Sequence, residues 1–125
     1  VEAAQADVFD FLTELDKKKD HSYDYIVLDP PAFTKSGKTV HEAFRGYKEI
    51  NYRAMKILPR GGYLATCSCS HFMGEELFVK MVKEAARDAG VTLRQIEFRQ
   101  QAPDHPILMT VPETYYLKFF LFQIV

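Results

Sequence analysis

The sequence predicts an α/β fold, a mostly parallel sheet covered by helices and closed by an antiparallel last strand. Three observations carry this. Strand-like apolar runs alternate with segments of helical spacing through the first six elements, the pattern of a parallel, helix-covered sheet. Tyr23 to Leu28 is apolar apart from Asp24, as in a parallel strand buried on both faces. The last two strand-like runs are joined without a helix, which points to an antiparallel hairpin at one edge.

Each element follows from local chemistry. Val1 to Ala6 is short and partly apolar and reads as the end of a strand. Asp7 is a good helix N-cap with Asp10 in the acidic first turn. Val8, Phe11, Leu12 and Leu15 then form a helical stripe, and Lys17-Lys18-Lys19-Asp20 marks the helix end. After the Tyr23–Leu28 strand, Pro30 and Pro31 force a stiff, extended exit. Thr34 to Thr39, with Gly37, reads as a mobile loop. From His41 to Leu58 the apolar positions Phe44, Tyr47, Ile50, Ala54, Ile57 and Leu58 recur at helical spacing until Pro59 and Gly61-Gly62. Gly62 to Ser68 is the next strand. Glu75 to Ala89 is a helix with Leu77, Phe78, Met81, Val82, Ala85 and Ala86 on one face and Gly90 as its C-cap. Val91 to Phe98 alternates like a strand, Gln100 to Pro112 is a proline-punctuated loop, and Tyr116 to Val125 is a long apolar strand.

Composition excludes several classes. With 125 residues, 47% hydrophobic and 26% charged, the chain is one ordinary globular domain at most. Its apolar runs are far too short to span a membrane, and no signal-peptide pattern is visible. Two cysteines one residue apart do not suit a standard disulfide, which points to free thiols and a cytoplasmic protein. A net charge of −1 gives no general electrostatic footprint for nucleic acid, so any RNA-binding surface is local or outside this chain.

The chemistry concentrates at two strand ends. Asp29-Pro30-Pro31-Ala32-Phe33 follows the first buried strand, and Thr66-Cys67-Ser68-Cys69-Ser70 ends the next. In open α/β sheets ligands bind outside the carboxyl ends of the strands. There Asp29 can accept from, or protonate, a ring nitrogen or an exocyclic amine, Pro30 and Pro31 offer fixed carbonyl acceptors, and Phe33 can stack on a base. The plainer account is a strand-to-turn exit with a core phenylalanine. Cys69, between two serines where the strand gives way, is the candidate nucleophile, whereas Cys67 reads as a small core residue; strand alternation would point both to one side. A metal site from Cys67, Cys69, His71 and His105 has the wrong spacing for structural zinc. Arg45 and Lys48, with Arg53 and interleaved with Tyr47 and Tyr52, are candidate RNA contacts, the alternative being the solvated face of an amphipathic helix. His105 reads as a loop histidine with a local hydrogen bond.

The element order is that of class I methyltransferases. Asp29-Pro30-Pro31-Ala32-Phe33, Arg45 to Asn51, Ser68-Cys69-Ser70, Asp104-His105-Pro106 and Pro112-Glu113 to Lys118 together resemble the S-adenosylmethionine-dependent rRNA large-subunit methyltransferase I family, which makes 5-methylcytosine in 23S rRNA. The resemblance covers nearly the whole chain. It implies that Cys69 adds to carbon 6 of cytosine, that Asp29 holds or protonates nitrogen 3, and that carbon 5 then takes the methyl group. Phe33 and the prolines would frame a base flipped from its stack. Asp7 and Val8 match the position that contacts the cofactor adenine, and Asp29 also falls on the cofactor side.

Two departures stand out. Many RNA 5-methylcytosine enzymes carry a second cysteine in the proline motif, and Ala32 occupies that region here. The glycine-rich cofactor turn and the acidic residue for the ribose are absent. The chain therefore reads as the carboxy-terminal part of a catalytic domain, lacking the cofactor loop and any amino-terminal RNA-binding domain. Alone it is expected to dimerise or swap strands through an open sheet edge. Two rivals remain: an N-methyltransferase in which the Asp-Pro-Pro-aromatic motif does the work, and a non-catalytic binding or assembly module.

Overall fold

The computed structural model describes residues 1–33 and 37–125. The elements run α1 (Val8–Lys17), β1 (Tyr25–Leu28), α2 (Val40–Ile57), β2 (Tyr63–Ser68), α3 (Glu75–Ala89), β3 (Leu93–Arg99) and β4 (Lys118–Ile124), with short 3₁₀ turns at Gly37–Thr39 and Pro112–Thr114. The four-stranded sheet has the order β1-β2-β4-β3. β1 and β2 are parallel, and β4 runs antiparallel to both β2 and β3. Three strands thus share one direction and the last is reversed, as the sequence predicts.

Local rules account for the boundaries. The Asp7 carboxylate accepts from the Asp10 amide at 3.1 Å and caps α1. α2 stops before Pro59, and Gly90 closes α3 at φ 71°, a left-handed conformation that favours glycine. The hairpin differs in one respect from a strand simply added at the margin. β4 lies inside, between β2 and β3, and β3 is the edge. Lys118, Phe120, Phe122 and Ile124 of β4 are buried in alternation, whereas β3 carries Arg94, Gln95, Glu97 and Arg99, which tolerate an edge position.

Two expectations need correction. Val1 to Ala6 forms no strand: these residues are exposed and pair with none of the described strands. β1 begins at Tyr25 rather than Tyr23, although the Asp24 carbonyl still accepts from the Tyr63 amide at 2.8 Å. Of the loop expected over Thr34 to Thr39, residues 34–36 lie outside the described residues, and 37–39 form the turn into α2.

All three helices pack on one face of the sheet. Leu28, Leu64, Phe120, Phe122 and Ile124 from the strands meet Leu12 of α1, Tyr47, Ile50 and Ala54 of α2, and Phe78 and Met81 of α3 in one cluster. The alternate strand positions (Tyr25, Val27, Tyr63, Ala65, Cys67 and Leu121) point to the other face, and Val27 there is 63% exposed. Among the described residues no helix is long and apolar enough to cross a membrane.

Candidate active site

Because β1 and β2 are parallel neighbours, with Leu28 opposite Thr66, the segments that follow them leave the same edge of the sheet. Asp29 is exposed immediately after β1, and Cys69 is exposed immediately after β2. The residue that joins the two loops directly is Cys67. Its thiol lies 3.3 Å from Asp29 Oδ1 and 3.5 Å from the Leu28 carbonyl oxygen. Burial first, and then the Asp29 carboxylate, push the Cys67 thiol up to about 12. At neutral pH it is therefore a proton donor to Asp29 and not a nucleophile. The alternation expected to turn both sulfurs to one side stops with β2 at Ser68, so Cys67 is buried and Cys69 is not.

A second link runs through α2. The Ser68 hydroxyl donates to Tyr47 Oη at 3.0 Å, and the Phe33 backbone amide also engages that hydroxyl. Burial raises the Tyr47 phenol above its ordinary value despite both bonds. Phe33 packs edge-on against Tyr47 with ring centroids 4.7 Å apart, and it rests on Gly46, where an added Cβ would come within 3.2 Å of the ring. The glycine is what allows the aromatic ring to seat on the helix. Phe33 is thus committed to packing on α2, while it also lines the cleft described next.

A cleft of about 550 Å³ opens between the start of α1 and the diproline loop, lined by Asp7, Val8, Asp29, Pro30, Pro31 and Phe33. The three residues assigned to the cofactor side by resemblance, Asp7, Val8 and Asp29, therefore share one cavity. Its character is apolar walls with carboxylate acceptors, which suits a flat heterocycle bearing an amine. Asp7 accepts from Asp10 through one carboxylate oxygen.

Arg45 and Lys48 lie elsewhere. They line a separate groove with Phe9, Glu49, Tyr52 and Asp88. Lys48 Nζ is 2.8 Å from Asp88 and 3.6 Å from Glu84, and Arg53 pairs with Glu49 at 2.7 Å. The hydrogen bond and charge of Asp88 raise the Lys48 ammonium above its ordinary value. The structure does not bring Arg45 or Lys48 to the acid and the thiol: Lys48 faces α3, because two carboxylates there outcompete solvent for it. Among the described residues no group of three potential metal ligands comes together. His105 is exposed beside Asp104, with Nε2 and Oδ2 3.8 Å apart.

Sequence reasoning missed Lys118. It is 1% exposed, and its Nζ donates to the Ser70 carbonyl at 2.5 Å and to the Tyr116 carbonyl at 2.7 Å. A signal existed: a single cation at a buried alternate position of an otherwise apolar strand.

The chain is 46% identical over 112 residues to a protein from Pseudoalteromonas atlantica named Ribosomal RNA large subunit methyltransferase I, covering 90% of this chain and 28% of that protein. A protein of the same name from Aliivibrio fischeri is 44% identical over 124 residues, covering 99% of this chain and 31% of the relative. The chain thus spans less than a third of these relatives' length. No family model matches it. Among solved structures, a Streptococcus mutans protein described as a SAM-dependent methyltransferase superposes with a TM-score of 0.77 at 21% identity, over 94% of this chain and 29% of that one. A second neighbour, a methyltransferase crystallised with SAH, gives 0.77 at 20% identity, over 94% of this chain and 30% of that one. These likenesses establish the fold, a Rossmann-like α/β methyltransferase fold.

Proposed function

The chain is a segment of the ribosomal RNA large subunit methyltransferase I family, and on that premise we propose that it supplies the substrate-side half of an S-adenosylmethionine-dependent rRNA methyltransferase acting on carbon 5 of a 23S rRNA cytosine. The observation that carries this is the emergence of an exposed carboxylate, Asp29, and an exposed thiol, Cys69, from adjacent parallel strands, with Asp29 also lining the Asp7–Val8 cleft.

In this reading Asp7 accepts from the adenine amine through its carboxylate and Val8 contacts the ring through its backbone amide, while Asp29 and the prolines close the cleft on the substrate side. The bound cofactor would supply an electrophilic methyl group. The Cys69 thiolate adds to carbon 6 of the cytosine, making carbon 5 nucleophilic, and Asp29 hydrogen-bonds or protonates nitrogen 3 to stabilise the developing charge. After methyl transfer a base removes the carbon 5 proton and the thiolate leaves. Cys67 holds the Asp29 carboxylate by donating to it, and so orients the acid. The glycine-rich cofactor turn, the ribose acid and an RNA-binding module belong to the remainder of the full-length protein. Arg45 stays a candidate RNA contact on α2; for Lys48 that role would require breaking its pairing with Asp88.

One observation favours a second reading, methylation of a ring or exocyclic nitrogen. The sulfur in direct contact with Asp29 belongs to Cys67, not to Cys69. Cys69→Ala in the full-length enzyme separates the two. Carbon 5 chemistry requires loss of methyl transfer to 23S rRNA, measured with labelled cofactor, whereas nitrogen chemistry tolerates the change. Asp29→Asn should abolish either.

A further inference from the structure

We propose that Lys118 is the positioning residue for Cys69, holding the turn that presents the thiol and placing a buried positive charge where it favours the thiolate. The inference rests on the reading of Cys69 as the nucleophile. Burying a lysine inside an apolar strand is costly, because an ammonium loses its hydration. The side chains of Phe120, Phe122 and Ile124 on the same face of β4 show that an apolar residue would fit the pattern. The lysine is instead committed to one corner. In the register it stands directly opposite Ser68, and its Nζ reaches over to the Ser70 carbonyl. Ser68 and Ser70 flank Cys69, so the lysine engages the backbone on both sides of that residue. Its second acceptor, the Tyr116 carbonyl, ties the same charge to the loop that enters β4. An ammonium has three N–H groups, and among the described residues only these two protein acceptors engage it.

The charge is responsive as well as buried. Desolvation lowers the Lys118 ammonium to about 8, and a negative charge on Cys69 acts in the opposite direction. Other titratable groups at this corner are otherwise engaged. Arg99 of β3, opposite Phe119, pairs with Glu97 at 3.0 Å. Glu75 at the start of α3 accepts from Tyr115 at 3.2 Å, and Tyr47 of α2 is bonded to Ser68. The Ser70 and Tyr116 carbonyl oxygens are what hold the ammonium.

The test reads the thiol itself in the full-length protein. Cys69 is alkylated with iodoacetamide across a pH series, and the modified cysteine is located by fragment mass spectrometry. Lys118→Met removes the charge and both N–H bonds, and Lys118→Gln keeps N–H donors without charge. Each should slow Cys69 alkylation near neutral pH about tenfold, with the pH profile displaced upward by about one unit, and Lys118→Arg should recover most of the rate. An unchanged Cys69 profile in a folded Met or Gln variant overturns the proposal. Should neither variant fold, the wild-type profile decides: ionisation below the ordinary cysteine range supports it, and an ordinary value overturns it. Cys69→Ala methylation assays bear on the nucleophile reading alone, so the failure of one idea is distinguishable from that of the other.

Discussion

The two faces of this sheet are built from the same four strands and differ in how far they are covered. On one face three helices bury Leu28, Leu64, Phe120 and Phe122, with Phe78 of α3 stacked on Phe120 at a centroid distance of 5.6 Å. On the other, Tyr25 and Val27 of β1 stand in solvent while Ala65 and Cys67 of β2 are buried, and Tyr25 stacks on its cross-strand neighbour Tyr63 at 6.0 Å. Strand residues this apolar are normally covered on both faces in a largely parallel sheet. The difference teaches that β1 carries more apolar surface than the three helices cover. The relatives, more than three times as long, have chain enough to cover the rest.

The comparison can be broken or sharpened in order of effect. Phe78→Ala, at a fully buried site on the covered face, should cost about 3–5 kcal/mol in the full-length protein, read by denaturant unfolding. Val27→Ser on the open face should cost about 2 kcal/mol in the full-length protein but stay within about 0.5 kcal/mol in residues 1–125 alone. Equal costs in the two contexts would break the inference that Val27 is covered by the remainder of the protein. Residues 1–125 alone should self-associate as a homodimer or a strand-swapped dimer through β1 and the open face. Val27→Lys together with Tyr25→Lys should return sedimentation to a monomer. A monodisperse monomer in the unmodified fragment would remove the case for an uncovered apolar surface on β1.

A further effect, confined to alkaline pH, concerns Cys67. Its folded thiol keeps its proton up to about 12, while the unfolded chain releases it in the ordinary range. The folded state thus binds more protons in that window, and stability falls as pH rises above the ordinary thiol value, by at most about 1.4 kcal/mol per pH unit. Lys118 slopes the other way, because the folded chain gives up its proton at about 8, before the unfolded one does. The thiol is therefore read as the difference between wild type and Cys67→Ala across alkaline unfolding curves. Identical pH dependence in the two would show that Cys67 is not held protonated by the fold.

Particular residues show what the sequence reveals. Asp7, Gly90 and Pro59 act through local sterics and hydrogen bonds, so α1, α3 and the end of α2 were readable directly. The position of β4 between β2 and β3 was not, since strand order depends on which surfaces meet and not on any one strand's pattern. Within the candidate site, the places of Asp29 and Cys69 just after two strands were legible from the apolar runs before them. The Cys67–Asp29 contact spans 38 positions and arises from the register of two strands, which no local pattern encodes. Lys118 was hidden for a related reason: in an apolar run a single lysine reads as tolerance until the burial of its side chain is known. The separation of Arg45 and Lys48 from the acid follows from the rotation of α2, which turns Lys48 toward Asp88.

One helix sits under both loops. Phe33 is seated on Gly46, and the neighbouring Tyr47 hydroxyl is shared between the Phe33 amide and Ser68. The gap between carboxylate and sulfur is consequently gauged by a common strut rather than by two independent segments. Tilting α2 would carry both jaws together and preserve their spacing, whereas trimming Tyr47 to phenylalanine would let each drift by itself.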